Sequence, residues 1–185
     1  MNQAFNQKDP SAKKWMGALF MAGFGFLAAA RWNLTGELFY VLMAVRDFLA
    51  AYFFATRYSA VRGTNAYNSF IAYISTALPL LYYSPPYVSP TNHSLADSFA
   101  IIGYLLVTLA TIELGDKFGI SPAKRGARVT TGVYQYFKHP MYIGYAIAHL
   151  GWLLISPINI LIYAVAMSLF WYRSRVEERV FMQLN

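Results

Sequence analysis

Six runs of apolar residues, at 15–30, 36–56, 68–83, 98–114, 140–155 and 159–172, occupy more than half of the chain, and only Glu37, Arg46, Asp47 and Glu113 carry charge within them. A segment this apolar is solvated by lipid or buried all round. In lipid its backbone polar groups must be satisfied inside a helix or a closed barrel. The runs are apolar on every side rather than alternating, which argues against barrel strands and predicts helices. The expected fold class is therefore an all-α integral membrane protein with five to six transmembrane helices and a C-terminal helical hairpin. Composition agrees, since 12% of the 185 residues are charged against about 25% in a soluble domain. A single domain is expected over 1–185, with transmembrane helices over 1–114 and a more polar half over 115–185. With no Cys, disulfides, thiolate metal sites and cysteine nucleophiles are excluded, and no metal site is read from the remaining residues.

The net charge of +7 does not point to nucleic acid, because of where the basic residues sit. Six alternating spans place Lys8, Lys13, Lys14, Arg57 and Arg62, then the basic residues of 115–139, then Arg173, Arg175 and Arg179 on one side. That side holds 13 of the 15 Lys and Arg residues. By the positive-inside rule both termini and this polar cap face the cytoplasm, and the charge excess suits anionic membrane lipid.

The cap meets the fifth run at Lys138-His139-Pro140. The residue before proline is pushed away from helical backbone angles, whereas proline suits the first turn of a helix, so a helix is predicted to start here. Its first-turn backbone donors would face the cap and welcome an anion. Tyr134, Tyr136, Tyr142 and Tyr145 are expected around His139, either as an aromatic interface belt or as the wall of a pocket for a stacked base or a sulfonium cation. Gly144, Ala148 and Gly151 recur at helical spacing and suit close helix packing, with Gly144 alternatively leaving room for a ligand. His149 is read as a buried, hydrogen-bonded neutral side chain or as a proton-transfer group.

In the last segment Arg173 and Glu177 stand four apart on one helix face, as do Arg175 and Arg179. They follow a span that must return beside the His139 helix, so the two polar clusters are expected to converge. Arg46 and Asp47 lie inside the second run, either for packing or lining a substrate path, and as adjacent helical residues they need not pair. Glu113 and Asp116 read as boundary charges.

Val129-Thr130-Thr131-Gly132-Val133-Tyr134, then Lys138-His139-Pro140-Met141-Tyr142-Ile143-Gly144, then Arg173 and Glu177-Glu178 together resemble the isoprenylcysteine carboxyl methyltransferase family, which shares this C-terminal half with phospholipid methyltransferases. The resemblance covers about 114–184. Two departures stand out: Lys138 occupies a position where the family usually has Arg, and Gly126-Ala127-Arg128-Val129 replaces a His-x-Leu-Val. The resemblance implies an integral-membrane enzyme that binds S-adenosylmethionine in a cytoplasmic pocket and methylates a lipophilic small-molecule or lipid acceptor, a carboxylate of prenylcysteine type. It assigns Val129, Tyr134, His139, Pro140, Tyr142, Gly144, Glu177 and Glu178 to the methyl donor, and Arg173 to the acceptor as the catalytic residue. The alternatives are N-methylation of a phospholipid head group, and a non-catalytic membrane protein with a basic interfacial cap.

Overall fold

The computed structural model describes residues 7–182. It is mostly helical, at 75%, with six helices among the described residues: α1 (Lys13–Thr35), α2 (Leu38–Thr56), α3 (Ala66–Ala77), α4 (Pro90–Leu114), α5 (Pro140–Ile155) and α6 (Ile160–Met182). Two short strands, β1 (Arg62–Gly63) and β2 (Ala123–Lys124), pair antiparallel, with Arg62 opposite Lys124. This pairing ties the α2–α3 connection to the cap segment between α4 and α5.

Two helical stretches are long and apolar enough to cross a membrane, Leu38–Thr56 and Pro90–Lys117. Three helices depart from the expected spans for local reasons. The third run is helical for only 12 residues and then tightens into a 3-10 turn at Leu78–Leu81, with Pro79 inside it, because proline cannot donate to a continuing α-helix. The fourth helix starts eight residues earlier than expected, at Pro90, where the Ser89 hydroxyl accepts from the Asn92 N–H and proline occupies the first turn. The sixth runs unbroken through its charged end to Met182. The outermost ends of the expected cap, 1–6 and 183–185, lie outside the described residues.

The stripe of small residues on α5 packs against α4, at its closest where glycine faces glycine. A Cβ placed on Gly144 would stand 2.7 Å from the Gly103 carbonyl oxygen and 2.7 Å from Val107 Cγ2, and one on Gly151 would stand 2.7 Å from the Ala96 carbonyl oxygen. The main apolar core joins α2, α4, α5 and α6 through Phe39, Tyr40, Tyr82, Tyr104, Trp152 and Phe170. Tyr82 stacks on Trp152 with centroids 4.9 Å apart. A second cluster, including Met21, Phe54, Phe118 and Ile120, seats the cap segment on α1, α2 and α3. The chain ahead of α1 clamps the same end. Lys8 Nζ lies 2.5 Å from Asp116 Oδ2, and Arg57 Nη2 lies 2.9 Å from Asp9 Oδ2.

Candidate functional site

Between α5 and α6 lies a cavity, roofed by the cap segment and backed by Arg46 of α2 and Ser75 and Thr76 of α3. The hairpin arms are joined by a tight turn at Pro157–Asn159, yet α5 packs closely on α4, and the space toward α6 stays open.

The outer end is built from two parts of the chain about 40 residues apart. Helix α5 begins at Pro140 with His139 just ahead of it in a non-helical conformation, which is the start expected from the His-Pro pair. His139 Nε2 lies 3.0 Å from Glu178 Oε1, and its Nδ1 lies 3.6 Å from Glu177 Oε2. Lys138 Nζ donates to Glu178 Oε2 at 2.6 Å. One turn into α5 the Tyr142 hydroxyl donates to Glu177 Oε1, and the Arg173 guanidinium stands 5.4 Å from the Tyr142 ring centre. The Lys138 hydrogen bond, reinforced by His139, holds the Glu178 carboxyl below its ordinary range. Burial alone would lower the His139 value, but hydrogen bonds and charge from Glu177 and Glu178 outweigh it and raise it. Burial raises the Tyr134 phenol, and the carboxylates of Glu177 and Glu113 add to the shift.

Val129, Tyr134, His139, Pro140, Tyr142, Arg173, Glu177 and Glu178 all line this cavity, so eight of the nine residues picked out from sequence come together. Gly144 does not. It faces Gly103 and Val107 of α4, because the residue-to-residue rotation of the helix turns its Cα away from the Tyr142–Tyr145 wall. Tyr136 is 80% exposed and takes no part in the wall, so of its two expected roles the pocket wall is the one it does not fill.

Arg173 is anchored as well as aimed. Its Nη1 donates to Ser75 Oγ at 2.8 Å and its Nη2 to the Ile120 carbonyl at 2.9 Å, while Nε has no partner. Arg46 and Asp47 do pair, Nη1 to Oδ1 at 2.8 Å. As neighbours on one helix they meet at poor angles, and both Asp47 oxygens remain without a hydrogen-bond donor. His149 is fully buried with Nδ1 3.1 Å from the Tyr82 hydroxyl.

Glu113 does more than mark a boundary. Both its carboxylate oxygens lie 3.1 Å from the Val133 N–H, and its carboxylate fills the place a side chain on Gly132 would need. Gly132 has φ +52°, a left-handed conformation that favours glycine. The glycine of the Thr-x-Gly-x-Tyr motif thus lets the turn at Gly132–Gln135 close on α4 and present Tyr134 to the cavity. Arg125 was not singled out from sequence. It is buried, lines the cavity and has an unpartnered Nε; burial, with the nearby Arg57 charge, lowers its pKa to about 10. No local pattern marks it, because its burial depends on how the cap segment folds back.

Away from the cavity, Glu37, His93 and Asp97 bring ligand atoms within 4.8 Å of one another, an acid–histidine group that could accept a cation and that sequence reading missed. Glu37 is the C-terminal neighbour of a turn after α1 and the other two sit one helical turn apart on α4, so nothing local joins them.

No curated protein and no solved structure compared with the chain matches it. The family model for phospholipid methyltransferase matches residues 91–184, a stretch that begins at the start of α4 and ends just past the described part of α6. The converging elements α4, α5, α6 and the cap segment are the matched portion, and the chain belongs to the phospholipid methyltransferase family.

Proposed function

We propose that the chain is an S-adenosylmethionine-dependent methyltransferase that crosses the membrane five or six times, keeps both termini and the cavity mouth in the cytoplasm, and methylates a lipophilic carboxylate of prenylcysteine type. The observation that supports it best is the shared cavity of His139 and Tyr142 with Arg173, Glu177 and Glu178. The cavity suits the donor chemically: ring faces at Tyr134 and Tyr142 for a nucleoside and a sulfonium, and carboxylates at Glu177 and Glu178 for its ammonium and hydroxyl groups. Val129, His139 and Pro140 complete that wall, with residues 115–185 forming the donor half of a single domain. Embedding in lipid accounts for α4, which leaves Ile101, Ile102, Leu105, Leu109 and Ile112 exposed.

S-adenosylmethionine supplies a sulfonium-bound methyl group, and its transfer to a carboxylate oxygen joins opposite charges into neutral products without moving a proton. The protein's part is therefore positioning and the exclusion of water. Arg173, held by Ser75 and Ile120, orients the acceptor carboxylate through its free Nε. The family description favours a second reading, N-methylation of a phospholipid head group. That reaction must remove a proton from an ammonium, for which His139, Glu177 or Glu178 would have to supply the base.

The test is binding and turnover with the full chain in non-ionic detergent. Wild type is expected to bind S-adenosylhomocysteine, with Glu177→Ala and His139→Ala weakening it at least tenfold, and to transfer labelled methyl to a farnesylcysteine analogue. No affinity at high micromolar ligand would end the methyltransferase reading. Transfer to a phospholipid amine alone would favour the second.

A further inference from the structure

Three buried nitrogens at the inner end of the cavity have no hydrogen-bond partner. They are Arg46 Nε on α2, His149 Nε2 on α5 and Arg173 Nε on α6. All three side chains line the cavity, and the residues are 4%, 0% and 8% exposed. They stand along one aromatic wall. The Arg173 guanidinium lies over Tyr142, the Arg46 guanidinium is 5.1 Å from the Tyr145 ring centre, and the His149 ring is 6.2 Å from the same centre. His149 lies nine residues beyond Pro140, about 14 Å further along the helix.

The unpartnered acceptors nearby, both Asp47 oxygens and the Tyr104 hydroxyl, lie outside the cavity lining, and the groups that face the cavity are mostly donors. The Tyr82 hydroxyl lies 3.1 Å from His149 Nδ1, and a phenol donating there leaves the ring proton on Nε2. Ser75 and Thr76 turn their hydroxyls to the Ala72 carbonyl, each at 2.9 Å. Asp47 holds Arg46 Nη1 from outside the cavity wall, which steadies the guanidinium and leaves Nε for the cavity. Among the described residues, six basic side chains line the cavity against two carboxylates, Glu177 and Glu178, both at the outer end. Buried donors are rarely left unsatisfied, so three at one end of a cationic cavity call for a ligand group rich in acceptors.

We propose that this inner end is a subsite for an oxyanionic group, carboxylate or phosphate, on the lipophilic acceptor, with Arg46 and His149 as its binding residues beside Arg173. The proposal rests on the methyltransferase reading and adds the acceptor class and the residue that selects it. An ammonium group meets the like charges of Arg46 and Arg173 there and binds less well.

The test uses four probes of equal chain length, palmitate, hexadecyl phosphate, hexadecylamine and hexadecanol, titrated by calorimetry into the full chain in non-ionic micelles. Palmitate or the phosphate is expected to bind at least tenfold more tightly than the alcohol, and the amine no more tightly than it. Which of the two anions binds better tells a carboxylate acceptor from a phosphate-bearing one. Arg46→Gln with Asp47→Asn removes both buried charges together and is expected to abolish the anion preference while S-adenosylhomocysteine affinity stays within twofold, which also reports an intact fold. Should that pair fail to fold, Arg46→Lys, which keeps the charge but not Nε, is expected to lose at least fivefold. Equal binding of all four probes, or an anion preference unchanged in both variants, overturns the subsite. Loss of S-adenosylhomocysteine binding in the wild type with the anion preference intact would instead remove the donor reading and leave the subsite standing.

Discussion

The Tyr142 ring is held from both ends of its chemistry: its hydroxyl donates to Glu177, and its face lies 5.4 Å from the Arg173 guanidinium. Residues 173 and 177 are one turn apart on α6, so a single α5 side chain touches both groups, the one proposed for the acceptor and the one proposed for the donor. Tyr142→Phe keeps the ring and the cation contact and removes one hydrogen bond. The expected result is a loss in S-adenosylhomocysteine affinity of about 3- to 10-fold, the net worth of one hydrogen bond, with little change in thermal stability. An unchanged dissociation constant by calorimetry would detach Glu177 from donor binding.

Gly132→Ala meets two obstacles, a left-handed backbone and the Glu113 carboxylate. It is expected to destabilise by about 1–3 kcal/mol, combining the backbone cost with overpacking. Adding Glu113→Ala opens the space without relieving the backbone, so the double variant should recover only part of the loss in thermal unfolding. Full recovery would mean that φ at this turn is unimportant.

Gly144→Ala separates packing from ligand contact. A Cβ there would press on the Gly103 carbonyl and Val107 of α4, at a cost of about 1–3 kcal/mol. The melting temperature is expected to fall while the folded protein keeps its donor affinity. Weakened donor binding at unchanged stability would return Gly144 to the donor site.

The His139–Glu178 contact has a definite pH signature. The folded-state value of His139 is raised above its ordinary 6.5, so its stabilising contribution is full below that value and is lost as pH rises through the higher folded value. Glu178, held down first by Lys138 and then by His139, is lowered below its ordinary 4.5, so its contribution is full above 4.5 and is lost as pH falls through the lower folded value. The stability difference between wild type and His139→Gln is therefore expected to be largest between pH 4.5 and 6.5 and to shrink as pH rises through the raised folded value of His139. A melting-temperature difference flat across that range would show that the pair does not couple to folding.

Much of the helical layout was legible. The bounds of α5 follow from the His139-Pro140 pair and the Ser156-Pro157 turn, both of which act through local backbone angles. Ser89-Pro90 carries an equally local helix-start signal, and an apolarity count passed over it because the first turns of α4 are polar. The residues that line the cavity stood out in the sequence because Tyr142, Arg173 and Glu177 recur at the spacing of the resembled family. The choice between the two readings of Gly144, packing on α4 or leaving room for a ligand, has a different origin. Spacing tells how residues lie around one helix, but which face meets a neighbour depends on that neighbour.

From sequence alone came the helices and their order, the mostly helical architecture and the two polar clusters with the chemistry they carry. These follow from apolar run length, proline and glycine backbone preferences, and side-chain identity, all of which act within a few residues. Only the tertiary structure decided that α5 buries its glycine stripe against α4, that Ser75 and Ile120 anchor Arg173, that Glu113 closes the Gly132 turn, and that Arg46 and His149 face one cavity. Those contacts join residues from about 20 to more than 100 positions apart, and no local rule links them, because they depend on how side chains of unlike size fit between helices.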